Sequence, residues 1–238
     1  MIDLYGMGSP NVVKIYLALE EMKLPYKVIP IDVFGGAQFK PEFTKLNPSA
    51  KVPVIVDHEG PGGRPYTVFE SGAILIYLAD KTSQFLPKDG VARYDALQWT
   101  MVQMTGVGPM FGQLVHFMRF APKGNDYAVD RYRTQVRRVL DVLEQRLSAA
   151  PWLGGADYSI ADIATFPWAR GVGMFLGKAA EQDYPKLMAW VAAIASRPAV
   201  VKALAAVEDV RTKTTAFDKA APEMLDKIFG RGAHSAAA

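Results

Sequence analysis

Two nearby segments carry the strongest fold signal in the chain: Lys51-Val52-Pro53-Val54-Ile55-Val56-Asp57 and, after a turn, Phe69-Glu70-Ser71-Gly72-Ala73-Ile74. The β-branched run of the first segment predicts a strand over 52–57. Three glycines and two prolines between 58 and 65 predict the turn. The second segment passes from a short strand at 67–69 into a helix predicted over 72–80.

Strand and helix patterns also alternate from this stretch back to the N-terminus. The sequence predicts a strand, a helix, a strand and a short helix at 2–6, 10–22, 26–32 and 41–46. Pro10 suits the first turn of a helix because its missing N–H is not needed there. The order βαβαββα predicts an α/β layered domain over residues 1–82.

Strand patterns disappear after Thr82. A short polar segment containing Pro87 predicts a linker over 83–92, and a helical domain follows over 93–207. Its first helix is predicted to run from 93 to 117 and to kink at Gly106, Gly108 and Pro109. An amphipathic helix is predicted from apolar residues at three- and four-residue intervals, namely Tyr132, Val136, Val139, Leu140, Leu143 and Leu147.

The second half also carries start and stop signals for helices. Ser159-Ile160-Ala161-Asp162 has the form of a capping box, with Asp in place of the usual Glu or Gln. A further helix is predicted over 185–196, ending at Arg197-Pro198. Residues 208–238 form a less patterned C-terminal extension, and we expect 232–238 to be disordered.

Composition excludes several classes of function. Among the 238 residues there is no cysteine, which excludes disulfides, cysteine-based metal sites and a protein thiol nucleophile. We predict no metal site. The net charge is +3 without a block of like charges, so nucleic acid is not an expected partner. The chain opens on a strand pattern rather than a signal peptide and has no apolar run of about 20 residues, so we expect a cytoplasmic protein without a membrane partner.

Three local patterns are candidates for a functional site. The first is Val52-Pro53, where a cis peptide bond would present the backbone N–H and C=O of Val52 to an extended peptide. The alternative is a strand that simply begins near a proline. The second is Glu70-Ser71 at a strand-to-helix junction, where free N–H groups and the helix dipole favour a carboxylate. There the alternative is an ordinary serine N-cap.

The third pattern is the turn before the first predicted helix. Ser9 and Asn11 place a hydroxyl and an amide at a helix N-terminus, where such donors stabilise a thiolate and lower its pKa. The alternative is again helix capping. Because the chain has no cysteine, such a thiolate must belong to a small molecule.

These residues resemble the glutathione transferase superfamily over about residues 1–205. The resemblance is carried in the first half by Asn47-Pro48, Lys51-Val52-Pro53, Glu70-Ser71-Gly72-Ala73-Ile74 and Tyr77-Leu78, and in the second half by Trp152-Leu153-Gly154-Gly155, Tyr158-Ser159-Ile160-Ala161-Asp162 and Arg197-Pro198. It implies a thioredoxin-like N-terminal domain followed by an all-helical glutathione transferase domain.

Within that superfamily the chain is most similar to the bacterial Nu class. The similarity is carried by runs that include Ser9-Pro10-Asn11, Gly35-Gly36-Ala37-Gln38-Phe39, Val56-Asp57-His58, Leu97-Gln98-Trp99 and Gly108-Pro109-Met110. It implies that glutathione is the co-substrate, as two molecules or as the disulfide. The implied contacts are Asn11, Gln38, Val52, Pro53, Glu70, Ser71 and Arg131, and the implied catalytic residues are Ser9 and Asn11. The class usually has Thr at the position of Ser9, and the hydroxyl is kept.

The resemblance implies an enzyme that uses the glutathione thiolate for disulfide reduction or thiol transfer, and a homodimer. The same thiolate could instead form conjugates or cleave thioether or aryl ether bonds in aromatic catabolism. A non-catalytic binding protein with this fold is the alternative from another class. Bulky residues of the helical half are candidates either for a second-substrate pocket or for the core, namely Met110, Phe111, His116, Phe117, Trp168, Met174 and Phe175.

Overall fold

The computed structural model describes residues 1–231 of the chain. The N-terminal region contains strands β1 (Ile2–Gly6), β2 (Tyr26–Pro30), β3 (Val54–Asp57) and β4 (Tyr66–Phe69), and helices α1 (Pro10–Glu21), α2 (Pro41–Thr44) and α3 (Ser71–Thr82). The predicted order βαβαββα is therefore present. The prediction for 232–238 lies outside the described residues.

The four strands form one sheet in the order β2-β1-β3-β4. β1 is parallel to β2, with Leu4 opposite Val28, and antiparallel to β3, with Leu4 opposite Ile55. β4 pairs antiparallel to β3 at the edge of the sheet. This arrangement brings the C-terminal end of β1, the N-terminal end of β3 and the end of β4 to one side of the sheet, where the candidate functional residues lie.

The rest of the described chain is helical. Its helices are α4 (Gly90–Val102), α5 (Gly108–Val115), α6 (Asp126–Ala149), α7 (Ile160–Ala169), α8 (Val172–Leu176), α9 (Pro185–Ala195), α10 (Pro198–Arg211) and α11 (Pro222–Phe229). α4 begins inside the predicted linker 83–92, and α10 continues past residue 207, where the helical domain was predicted to end.

The helix predicted over 93–117 is interrupted. A π-helical turn at Gln103–Val107 separates α4 from α5, and a second one at His116–Phe120 follows α5. Pro109 lies in the first turn of α5 and has no backbone N–H to donate, so the regular hydrogen-bond pattern cannot run through it. Where a kink was predicted at Gly106, Gly108 and Pro109, the structure therefore has a π-helical turn followed by the start of α5.

One continuous core connects the two regions. Every residue of α1 from Val12 to Leu19 is buried, because α1 packs against α3 on one side and α7 and α10 on the other. On α6 the predicted apolar face is confirmed: Val136, Leu140, Leu143 and Leu147 are buried.

No single helix among residues 1–231 is both long and apolar enough to cross a membrane. α9 and α10, which are bent by 81° at their junction, reach the length and composition of a span only when they are taken together.

Candidate active site

A cleft of about 240 Å³ opens where the N-terminal ends of α1 and α3 face the helical region. It is lined by residues from both regions, namely Asn11, Lys14, Glu70, Ser71, Gln103, Met104, Gly108, Pro109, Gly112 and Trp168. Three of the predicted site residues, Asn11, Glu70 and Ser71, therefore share one cleft. A separate cleft of about 290 Å³ lies near the linker, between Ser83 and Ser159, and contains none of the predicted site residues.

The peptide bond between Val52 and Pro53 is cis, as the sequence predicted. β3 begins directly after Pro53, at Val54. Val52 lies outside the paired residues of the sheet. Its backbone N–H and C=O form no hydrogen bond with another backbone group among residues 1–231. Its N–H and C=O are therefore available to an extended peptide, as a site for β-strand addition requires.

The junction between β4 and α3 has an unusual backbone. Glu70 has φ 67° and ψ 116°, a conformation that residues other than glycine rarely adopt. This turn makes Glu70, rather than Ser71, the N-cap residue, and no side chain caps α3. Ser71 is the first helical residue and is buried. The simple serine N-cap that the sequence allowed is therefore absent, and the first N–H groups of α3 face the cleft without a side-chain acceptor.

Ser9 and Asn11 lie at the start of α1. Ser9 has the extended backbone of an N-cap residue, but its side chain makes no capping hydrogen bond. Asn11 is exposed to the cleft, and its Oδ1 accepts a hydrogen bond from Trp168 Nε1 at 3.3 Å. A residue of α7 thus orients the Asn11 amide, so that its NH₂ group remains free to donate to a ligand.

Lys14 was not among the predicted site residues. Its ammonium group donates to Ser71 Oγ at 3.2 Å and to Gln103 Oε1 at 2.8 Å. Burial lowers the pKa of Lys14 to about 7, and the negative charge of Glu70 acts in the opposite direction. Sequence reasoning missed Lys14, although a lysine between Val13 and Ile15 in an apolar helix is a signal that could have pointed to it.

The remaining predicted residues lie away from the cleft lining. Gln38 is buried in the 3₁₀ turn Ala37–Phe39, and its Oε1 has no hydrogen-bond partner among the described residues. Arg131 is exposed on α6 and forms no ion pair within residues 1–231. Neither side chain forms a hydrogen bond or an ion pair within residues 1–231. Both residues remain predicted contacts of glutathione.

The bulky candidates for a second-substrate pocket lie in different environments. Phe111 is fully buried and its ring packs against those of Trp168 and Phe175, as a core residue does. Met174 is 79% exposed. Of the seven candidates, only Trp168 lines the cleft.

His116 lies in an aromatic environment at the end of α5. Its ring is 5.0 Å from that of Phe117 and 5.5 Å from that of Phe229 in α11. Burial and the positive charge of Arg231 both lower the pKa of His116. The imidazole is therefore mainly neutral near pH 7.

The cleft combines features that suit a small anionic peptide. Two helix N-termini provide positive potential and free N–H groups, the exposed Glu70 carboxylate can accept from an ammonium group, and Val52 offers a peptide-pairing edge. No group of three or more His, Asp or Glu side chains within residues 1–231 is arranged to hold a metal ion.

Models of known families match both regions. Residues 8–81 match the N-terminal domain of glutathione S-transferases, and residues 107–198 match their C-terminal domain. The disulfide-bond oxidoreductase YfcG of Escherichia coli (strain K12) is 47% identical over 205 residues, which cover 86% of this chain and 94% of that protein.

Solved structures show the same similarity. A glutathione transferase from Burkholderia graminis, with two glutathione molecules bound per subunit, has 49% sequence identity and a TM-score of 0.77, covering 85% of this chain and 87% of that one. A glutathione transferase from Pseudomonas putida, with one glutathione disulfide per subunit, has 40% identity and a TM-score of 0.80, with coverages of 85% and 90%. With the thioredoxin-like sheet, the helical second domain and both family models in agreement, the chain belongs to the glutathione S-transferase family of enzymes.

Proposed function

We propose that this protein binds glutathione in the cleft and uses its thiolate for disulfide reduction or thiol transfer. The observation that carries the proposal is that Ser9 and Ser71, at two helix N-termini, do not cap their helices. Capping was the structural alternative for both. The Escherichia coli and Pseudomonas putida proteins support the choice of disulfide chemistry.

The γ-glutamyl group, the cysteinyl backbone and the thiolate of glutathione each have a proposed partner. The γ-glutamyl carboxylate lies at the start of α3 near Ser71, and its ammonium group pairs with Glu70. The cysteinyl backbone pairs with Val52 beside Pro53. Ser9 and Asn11 donate to the thiolate and favour its ionised form.

Gln38 and Arg131 are proposed contacts of a second glutathione or of the disulfide. An exposed arginine without an ion-pair partner can move to meet a carboxylate. Membership of the Nu class and a homodimer, which the sequence resemblance implies, and a cytoplasmic location are further parts of the same proposal. Its domain limits are 1–82 for the glutathione-binding domain and 93–207 for the helical domain, joined by the linker 83–92 and followed by the extension 208–238.

Disulfide reduction then takes two exchange steps. The bound glutathione thiolate attacks one sulfur of the substrate disulfide, forming a mixed disulfide and releasing the other sulfur as a thiol after protonation. A second glutathione thiolate attacks the glutathione sulfur of the mixed disulfide. The products are glutathione disulfide and a second substrate thiol, so two glutathione molecules supply both electrons.

Calorimetric titration with reduced and oxidised glutathione, followed by turnover of a small dialkyl disulfide, tests this function. We expect two reduced molecules or one oxidised molecule per subunit, with turnover. One reduced molecule without disulfide turnover would instead indicate conjugation or ether-cleaving chemistry. The absence of any glutathione binding would refute the enzyme proposal and favour a binding protein with this fold.

The thiolate assignment has its own test. Ser9→Ala and Asn11→Ala should each lower turnover by about tenfold or more, because each removes a donor to a charged sulfur. Ser148→Ala, at an exposed position on α6, is the matched control and should leave turnover unchanged. Unchanged thiol chemistry in both site variants would show that the assignment is wrong.

A further inference from the structure

Lys14 is buried to an extent that is unusual for a lysine. Its side chain is 1% exposed, and residues 12–19 around it on α1 are all buried. A buried ammonium group is unfavourable unless hydrogen bonds and charges compensate for the lost hydration. The position therefore calls for a functional or structural reason beyond helix packing.

The contacts of Lys14 connect the cleft to the helical domain. Its Nζ donates to Ser71 Oγ on α3 and to Gln103 Oε1 in the π-helical turn, and it lies 3.9 Å from Met104 Sδ. All three acceptors are neutral. Within residues 1–231 no carboxylate forms a salt bridge with Lys14, so its charge is not cancelled by direct contact.

The electrostatic surroundings of Lys14 are simple. α3 contributes Ser71 and, at its N-cap, the charged Glu70; the π-helical turn contributes Gln103 and Met104. Among the described charged groups, only Glu70 acts appreciably on the Lys14 ammonium. Burial lowers the pKa of Lys14 to about 7, so its charge responds to any new anion near neutral pH.

We propose, building on the proposed function, that Lys14 is a positioning residue of the anion site at the start of α3: its ammonium group holds Ser71 and Gln103 in place and supplies the positive charge that balances a bound carboxylate. A carboxylate that accepts from Ser71 Oγ lies about one hydrogen-bond length beyond an atom that Lys14 already contacts. An opposite charge within about 4–6 Å favours the charged form of a lysine.

Proton uptake follows from this arrangement. In the free protein above pH 7, Lys14 is partly neutral. A bound carboxylate raises its pKa, so the complex takes one proton from the solvent for each Lys14 that was neutral. Affinity for the carboxylate therefore decreases as the pH rises above about 7, because the charge on Lys14 must then be restored at a growing cost.

S-methylglutathione is the appropriate probe because it has no thiol to ionise. Titrating it into the full-length protein at pH 7.5, in two buffers with different ionisation enthalpies, gives the number of protons taken up. We expect roughly half a proton or more per bound ligand for a group whose pKa starts near 7. Binding without proton uptake anywhere between pH 6.5 and 8.5 would overturn the role of Lys14 but leave the proposed function intact. No binding at all would refute the proposed function itself.

Variants assign the proton to Lys14. Lys14→Met should bind about tenfold more weakly and take up no proton, whereas Lys14→Arg, which stays charged, should retain more of the affinity but also lose proton uptake. Lys27→Met, at an exposed position on β2, is the matched control and should behave as the parent protein. Parent-like affinity and uptake in Lys14→Met would overturn the proposal.

A second variant keeps the proposal testable if the Lys14 variants do not fold. Gln103→Leu conserves the approximate shape but removes the 2.8 Å acceptor of the ammonium group. The pKa of Lys14 should then decrease further, so the pH of half-maximal proton uptake should move downward by about one unit. An unchanged pH profile in this variant would show that the proton is taken up elsewhere.

Discussion

At the scale of single residues, Asp162 connects three segments of the helical domain through hydrogen bonds. Its fully buried carboxylate accepts hydrogen bonds at 2.9 Å from the backbone N–H groups of Leu153 and Ser159 and from Trp190 Nε1. Burial raises the pKa of Asp162, while these donors act in the opposite direction. The capping box predicted at Ser159 is confirmed, and Asp162 also connects it to α9.

Asp162→Ala should therefore be severely destabilising. It leaves four buried donors, including the Ser159 hydroxyl, without this acceptor, and we expect a loss of about 3 kcal/mol or more in the free energy of unfolding. Chemical denaturation measures this loss. Asp157→Ala, at an exposed position nearby, is the matched control and should change stability by less than about 0.5 kcal/mol. Equal effects of the two substitutions would contradict the role given to Asp162.

At the scale of elements, the segment after α10 connects the two domains. Thr215 donates to the Asp32 carboxylate through its backbone N–H at 2.9 Å and its hydroxyl at 2.7 Å. The Phe217 ring lies 5.7 Å from that of Phe34 and 4.6 Å from that of Phe120. Residues 212–231, which we call the strap, thus contact both the loop after β2 and the end of the π-helical turn at His116–Phe120.

Removing an aromatic anchor should loosen this strap without unfolding the domains. Phe217→Ala deletes ring contacts worth about 0.5–1.5 kcal/mol each. We expect amide hydrogen exchange in α11 to accelerate about tenfold, with exchange in the β-sheet unchanged. Tyr127→Ala, which removes a ring that is 81% exposed, is the control. Unchanged exchange in α11 would show that other contacts hold the strap.

At the scale of the whole molecule, α1 and Arg197 hold the domains together. Arg197 binds the buried Glu21 carboxylate through Nε at 2.5 Å and through a second nitrogen at 2.9 Å, and its guanidinium group lies 4.1 Å from the centre of the Tyr158 ring. A two-point arginine–carboxylate contact fixes orientation as well as distance. Arg197-Pro198, predicted as a helix end, therefore also connects the helical domain to the end of α1.

Arg197→Ala should destabilise the protein by about 3 kcal/mol, because it leaves the Glu21 carboxylate buried and unpaired. Arg133→Ala removes an exposed pair with Asp130 and should change stability by about 0.5 kcal/mol or less. All four tryptophans lie between residues 99 and 190, so their fluorescence reports on the helical domain, while hydrogen exchange of the sheet reports on the other. In Arg197→Ala, the stability of both domains should decrease together. A loss confined to one domain would contradict the coupling.

Much of the fold could be predicted because its signals are local. β-branched runs, the Pro10 helix start, the capping box and the three- and four-residue spacing on α6 each depend on neighbouring residues only. The element order then selected the layered domain and the helical domain. That Asn11, Glu70 and Ser71 act at one site was implied only by the resemblance to glutathione transferases, and the structure places all three in one cleft.

The order of elements, the absence of a protein thiol and the residue types at the helix starts can all be read from the amino-acid sequence. The position of Lys14 in the cleft depends on tertiary packing, since α3, α7 and α10 bury it by packing around α1. Tertiary packing also places Gln103 and Trp168 beside Asn11 and Ser71, although 157 residues separate Asn11 from Trp168. The physical reason is that hydrogen-bond partners and desolvation are set by contacts between distant segments, which periodicity along the chain does not encode.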